Sequence, residues 1–153
     1  MNLRQLSWSL TTASTPMCSK RCIQHGKLLS AQEEKCMNVK KCYEMMKGDY
    51  EDVKTRFLTD ARIRRFALLF LSDTSMEELR AAMVEKNCEK GFQAAHTLKG
   101  VCLNLGFTGL YVPVSRITEM LREGDFESAA AEMPGVETEY DSTVRGLHEL
   151  EQL

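Results

Sequence analysis

From Val39 to Leu150 the apolar residues recur three and four positions apart, broken at intervals by Gly, Pro, Asp and Asn, and no Val/Ile/Thr-rich run alternates polar with apolar. A period near 3.6 places such residues on one stripe of a helix, whereas a half-buried strand requires a period of two. Helices are therefore expected throughout and sheet is not. Each stripe must be buried against another helix, and 153 residues suffice for one domain built that way.

The turn signals divide the pattern. A short helix over 39–46 ends at Gly48, and a second piece covers 50–58. Asp60 is positioned to cap a core helix through Leu71, with Ile63, Phe66, Ala67, Phe70 and Leu71 as its buried stripe. Ser75 and Glu78 have capping-box spacing and open a helix through Leu79, Ala82 and Met83 that stops near Asn87. Asn87 then caps a long helix reaching Leu105, with Gly106 as its stop, and Thr108 begins another that runs to Glu123 before Gly124. Asp125 restarts the chain. Pro134 and Gly135 are predicted to break the last third, after which Val136, Tyr140, Val144, Leu147 and Leu150 share one face of a terminal helix. The resulting fold class is all-α: an up-down antiparallel four-helix bundle, its helices starting near 75, 87, 108 and 136, with additional short N-terminal helices covering one end and side.

Residues 1–36 lack this periodicity and read as a poorly ordered N-terminal extension, leaving 37–153 as the bundle domain. Met37 stands where the apolar spacing begins and is a candidate alternative start, with the upstream residues as a leader. The N-terminus has no apolar core of a secretory signal, and no run approaches a membrane span. Twenty Lys and Arg against 22 Asp and Glu leave a net charge of -2, which gives no electrostatic footprint for nucleic acid or an anionic membrane. Six irregularly spaced cysteines without an export signal read as reduced thiols. A cytoplasmic location is the expectation.

The segment with chemical content runs from Lys90 to Gly106, KGFQAAHTLKGVCLNLG. At about 100° per residue, Ala94, Ala95, Leu98, Val101, Cys102 and Leu105 form the core stripe, and His96 falls roughly 150° from its middle. A histidine so placed points outward. Its neighbours on that face are Phe92, Gln93, Lys99, Gly100 and Leu103. Exposed helical faces are normally charged, so two large apolar residues and a glycine beside a histidine are unusual. Glycine inside a helix costs about 1 kcal/mol relative to alanine, which points to a requirement other than helix stability. Gly100 clears space beside the imidazole, Phe92 and Leu103 offer an apolar docking patch, and Lys99 puts a positive charge within reach of an anion on His96. An ordinary imidazole, titrating near about 6.5, keeps a nucleophilic nitrogen free at neutral pH. With no phosphate-cradling glycine loop, kinase signature or acidic metal cluster near this segment, the chain lacks its own means of using ATP.

Ala95-His96-Thr97-Leu98-Lys99-Gly100 followed by Asn104-Leu105-Gly106 resembles the signature helix of histidine-containing phosphotransfer (HPt) domains. The helix order from about Met37 to Leu150, some three quarters of the chain, is similar to that family as well. The resemblance implies a four-helix bundle in which His96 is the phosphoacceptor, taking a phosphoryl group from the aspartate of one receiver domain and passing it to another. It further implies that Lys99 balances the phosphoryl charge, that Gly100 gives the receiver room, and that Phe92, Gln93 and Leu103 belong to the docking face. The partners implied are response-regulator receiver domains, a hybrid sensor kinase, or both. No cofactor is implied for this chain, since Mg²⁺ would belong to the receiver. A monomer that docks transiently is expected. Pro113, inside the following helix, and Gly91, before His96, depart from the pattern and could alter that helix and the docking surface.

Two other readings stay open. The bundle could be an interaction scaffold without relay activity. Alternatively, Cys18, Cys22, His25 and Cys36 could hold zinc in a small regulator, although their spacing matches no compact knuckle and no metal ligand is assigned. Cys102 falls on the core stripe, His148 reads as a surface residue, and Asn104 reads equally as a polar exposed residue or a functional one.

Overall fold

Residues 38–153 are described by a computed structural model, and every regular element among them is helical. They belong to one compact unit, Cys36–Leu153. Short polar side chains open most helices by accepting the backbone N–H groups that a first turn leaves without partners. Asn38 does so for α1 (Val39–Met45) and Asp49 for α2 (Tyr50–Phe57). Thr59, not Asp60, caps α3 (Asp60–Leu68), which tightens into a 3₁₀ turn over Leu69–Ser72. For α4 (Ser75–Val84) the predicted capping box does not form, and Thr74 makes no side-chain cap hydrogen bond. Thr74 occupies the cap position, the Asp73 carboxylate accepts the Ser75 N–H at 3.0 Å, and the Thr74 hydroxyl meets Glu78 at 2.9 Å.

The next three helices form the body of the fold. Asn87 caps α5 (Cys88–Leu105), accepting the Lys90 N–H at 3.0 Å, and Gly106 ends it at φ +68°. That left-handed conformation suits glycine, and a Cβ at Gly106 would also lie 2.2 Å from Val53 Cγ2. Helix α6 spans Thr108–Arg122, starting where predicted despite Pro113, and Asp125 caps α7 (Phe126–Glu151) through the Ser128 N–H.

The predicted break at Pro134 and Gly135 does not occur, because α7 runs through both. Ala129, Val136, Thr143, Leu147 and Leu150 are buried on either side of them. Packing of that stripe outweighs a local cost of about 3 kcal/mol for an interior proline. Pro134 also stands on the solvent face, where water can serve the carbonyl left without a donor. A second departure concerns α3. Ile63, Ala67 and Phe70 are buried as predicted, but Phe66 is 40% exposed and lies against Phe57 with ring centroids 5.0 Å apart.

Contacts along the helices fix their relative directions. The start of α5 meets the ends of α4 and α6: a Cβ at Gly91 would sit 3.2 Å from Leu121 Cδ1 and 3.7 Å from Ala82 Cβ. Arg116 pairs with Glu132, while the Gly109 backbone lies against Glu139, so α6 ascends as α7 descends. Arg80 joins α4 to α7 through a two-pronged pair with Glu137, at 2.9 Å and 2.5 Å, with its guanidinium 5.2 Å from the Tyr140 ring. Successive helices are thus antiparallel neighbours, as short connections require.

The N-terminal helices cover the α5–α6 turn. Tyr43 donates its hydroxyl to the Leu105 carbonyl at 3.1 Å, Asp49 N–H donates to Gly106 O at 2.8 Å, and Gly109 N–H donates to Lys47 O at 3.0 Å. Arg56 reaches Leu103 O at 3.2 Å, and Arg64 reaches the carbonyls of Leu150 and Glu151 at 2.9 and 2.7 Å. These bonds satisfy helix-end carbonyls that no later turn can serve. Among the described residues no helix is long and apolar enough to cross a membrane.

Candidate functional site on the outer face of α5

Helix α5 buries Gly91, Ala94, Ala95, Leu98, Cys102 and Leu105, so the opposite side faces out, and His96 is exposed there. The predicted stripe is reproduced except that Val101 is only half-buried. The imidazole makes no hydrogen bond or ion pair with any described residue. Its ordered neighbour is Phe92, one turn earlier, with ring centroids 5.7 Å apart and planes inclined by 36°. Phe92 is less exposed than the sequence suggests, because its ring also packs against the core cluster. It supports the imidazole from one side and leaves the rest of the ring open.

Leu103 is 57% exposed and is the outward apolar residue of the predicted patch. Gly100 lies one turn after His96, and a Cβ built on it meets nothing within 4 Å. Packing among the described residues therefore does not require glycine there, and the empty space is on the outside. Gln93 is exposed at a shallow groove between α4 and α5, alongside Ala81, Glu85 and Lys90. Lys99 lies on the opposite flank of His96, toward α6. Its side chain is only 24% exposed, and Nζ stands 3.2 Å from Glu119 Oε1. The other Glu119 oxygen takes Arg122.

Glu119 and Arg122 were not visible in the sequence as site residues. Their i, i+3 spacing on α6 is a common surface pattern, and only the register of α6 against α5 brings them to Lys99. Gly91 and Pro113, expected to be able to alter the following helix and the docking surface, are both buried. Gly91 lies where α5 packs against both α4 and α6. Cys102 is buried and its thiol is pushed up to about 12 by desolvation, which makes it a packing residue. Asn104 is exposed, and His148 is an exposed α7 residue 3.6 Å from Glu151. Cys18, Cys22, His25 and Cys36 lie outside the described residues. Among the described residues no three His, Cys, Asp or Glu side chains come together to hold a metal.

This arrangement presents an exposed imidazole, a lysine three residues on that is paired with Glu119, an exposed leucine and open space beside Gly100. Among the described residues no second acid or base is hydrogen-bonded to the imidazole.

A family model described as the Hpt domain matches residues 67–152, more than half of the chain and all of α4, α5, α6 and α7. No curated protein and no solved structure matches. With its helical bundle and a matched segment that includes the outward histidine of α5, the chain belongs to the Hpt domain family, whose members are phosphocarriers of phosphorelays rather than kinases.

Proposed function

We propose that this protein is a histidine phosphotransfer protein of a two-component phosphorelay with His96 as phosphoacceptor, residues 37–153 being the phosphotransfer domain. The observation that carries the reading is an imidazole on the outer face of α5, free of hydrogen bonds to described residues, beside a glycine whose open side faces outward. The lone pair of an unprotonated ring nitrogen attacks the aspartyl phosphate of a receiver domain. A nitrogen–phosphorus bond forms as the aspartyl oxygen–phosphorus bond breaks, and its electrons return to the carboxylate. The reverse step delivers the group to a second receiver.

Lys99 is the charge that balances the phosphoryl group. Phe92, Gln93, Gly100 and Leu103 form the docking face, Leu103 as its apolar contact and Gly100 as the point of closest approach. Mg²⁺ belongs to the acidic pocket of the receiver, and no cofactor is assigned to this chain. The partners are response-regulator receiver domains, with or without a hybrid sensor kinase upstream, met in the cytoplasm by a monomer. Neither nucleic acid nor a membrane surface is required.

The test is phosphotransfer from a phosphorylated receiver domain in the presence of Mg²⁺. Acid-labile label is expected on the wild type and not on His96→Ala. A folded wild type that stays unlabelled by several receivers would replace this reading with that of a helical interaction scaffold.

A further inference from the structure

Lys99 follows His96 by three residues on the same helix, within reach of an anion there, yet it is engaged elsewhere. Its ammonium is 3.2 Å from Glu119 Oε1, across the α5–α6 interface. Glu119 is shared, because its second oxygen pairs with Arg122 on the same helix. The carboxylate is 42% exposed, so the pair with Lys99 is weak and can be exchanged for a stronger partner. A phosphoryl group on His96 would carry close to two negative charges near neutral pH, more than one carboxylate offers. It would stand three residues from Lys99 on the same helical face. When Lys99 leaves, Glu119 keeps Arg122 and is not stranded.

From this triad we infer that Glu119 is a positioning residue for Lys99: it holds the ammonium aside while His96 is unmodified and competes with the phosphoryl group for it afterwards. The inference rests on His96 being the phosphoacceptor. Arg122 makes the exchange cheap by holding Glu119 in both states. The competition shortens the life of the phosphohistidine. Spontaneous loss breaks the nitrogen–phosphorus bond, transfers phosphorus to a water oxygen, and sends the bonding electrons to a ring nitrogen that takes up a proton. An ammonium beside the phosphoryl group opposes that protonation, so the more of the time Lys99 spends there, the slower the loss.

The experiment uses the full chain and phosphoramidate as a chemical donor. The phosphorus–nitrogen bond of the donor breaks, ammonia leaves with the ring proton, and no partner protein is needed. Loss of phosphohistidine is then followed by ³¹P NMR across pH 6–8 for the wild type, Glu119→Gln, Lys99→Met and the double variant. We expect Glu119→Gln to slow the loss about two- to fivefold, the range of a weak exposed ion pair. Lys99→Met should speed it, and Glu119→Gln should have no effect in the Lys99→Met background, because its influence passes through Lys99. Equal lifetimes for the wild type and Glu119→Gln would overturn the inference, as would an equal effect of Glu119→Gln in both backgrounds. A purely structural role would alter thermal stability and leave the lifetimes unchanged. Absence of label on His96 in the folded wild type would overturn the carrier reading itself, a result distinct from labelled proteins with equal lifetimes.

Discussion

Gly100 separates what a residue does for its own helix from what it does for a partner. A glycine in mid-helix is destabilising by about 0.5–1 kcal/mol relative to alanine, and here an added Cβ meets no atom within 4 Å. Gly100→Ala should therefore raise the urea midpoint by a shift worth about that much, with an unchanged slope. Transfer from a phosphorylated receiver should slow at the same time, because the methyl group occupies the space the partner approaches. Improved stability with unaltered transfer would show that Gly100 is incidental to docking. The outward direction of His96 was legible in the sequence for a simple reason. Asn87 and Gly106 bounded the helix, and within known bounds the angle of each side chain follows from the helical period. The engagement of Lys99 by Glu119 was not legible, since 20 residues separate them and the contact depends on how two helices slide past each other.

Caps were readable where the accepting side chain is the only candidate, as at Asn87, and slipped by one residue where two suitable side chains adjoin, as at Thr59 and Asp60. The α5 cap can be tested apart from the site it precedes. Asn87→Ala removes the acceptor for the Lys90 N–H and should cost about 1 kcal/mol in denaturant unfolding. Labelling of His96 per folded molecule should be unchanged, because the histidine lies more than two turns inside the helix. A loss of labelling that exceeds the loss of folded protein would mean that fraying of the α5 start reaches the phosphoacceptor. Pro134 shows the opposite limit of local reading. Its ring opposes helix at that position, but whether α7 tolerates it depends on apolar residues 129 to 150 finding partners in other helices.

For the whole molecule, the question is what holds α4 against α7, the first and last helices of the matched bundle. The structure supplies a contact across 57 residues: Arg80 forks onto Glu137 and stacks over Tyr140. The guanidinium beside Glu137 holds its carboxyl below the ordinary 4.5. A depressed carboxylate contributes stability that is present above its unfolded value and is lost as pH falls through the folded one. Both groups are a little over a third exposed, so solvent screening limits the pair to about 1 kcal/mol. Glu137→Gln should accordingly be less stable than the wild type at pH 7, by up to that amount. As pH falls below about 4.5, the stability curves of the two proteins should approach each other and merge once the wild-type carboxyl is also neutral. Chemical denaturation at a series of pH values from 7 down to the acid transition measures this directly. A constant gap through the acid range would assign the effect of Glu137 to its packing around Arg80 and Tyr140, with the charge of the pair contributing nothing to holding the bundle closed.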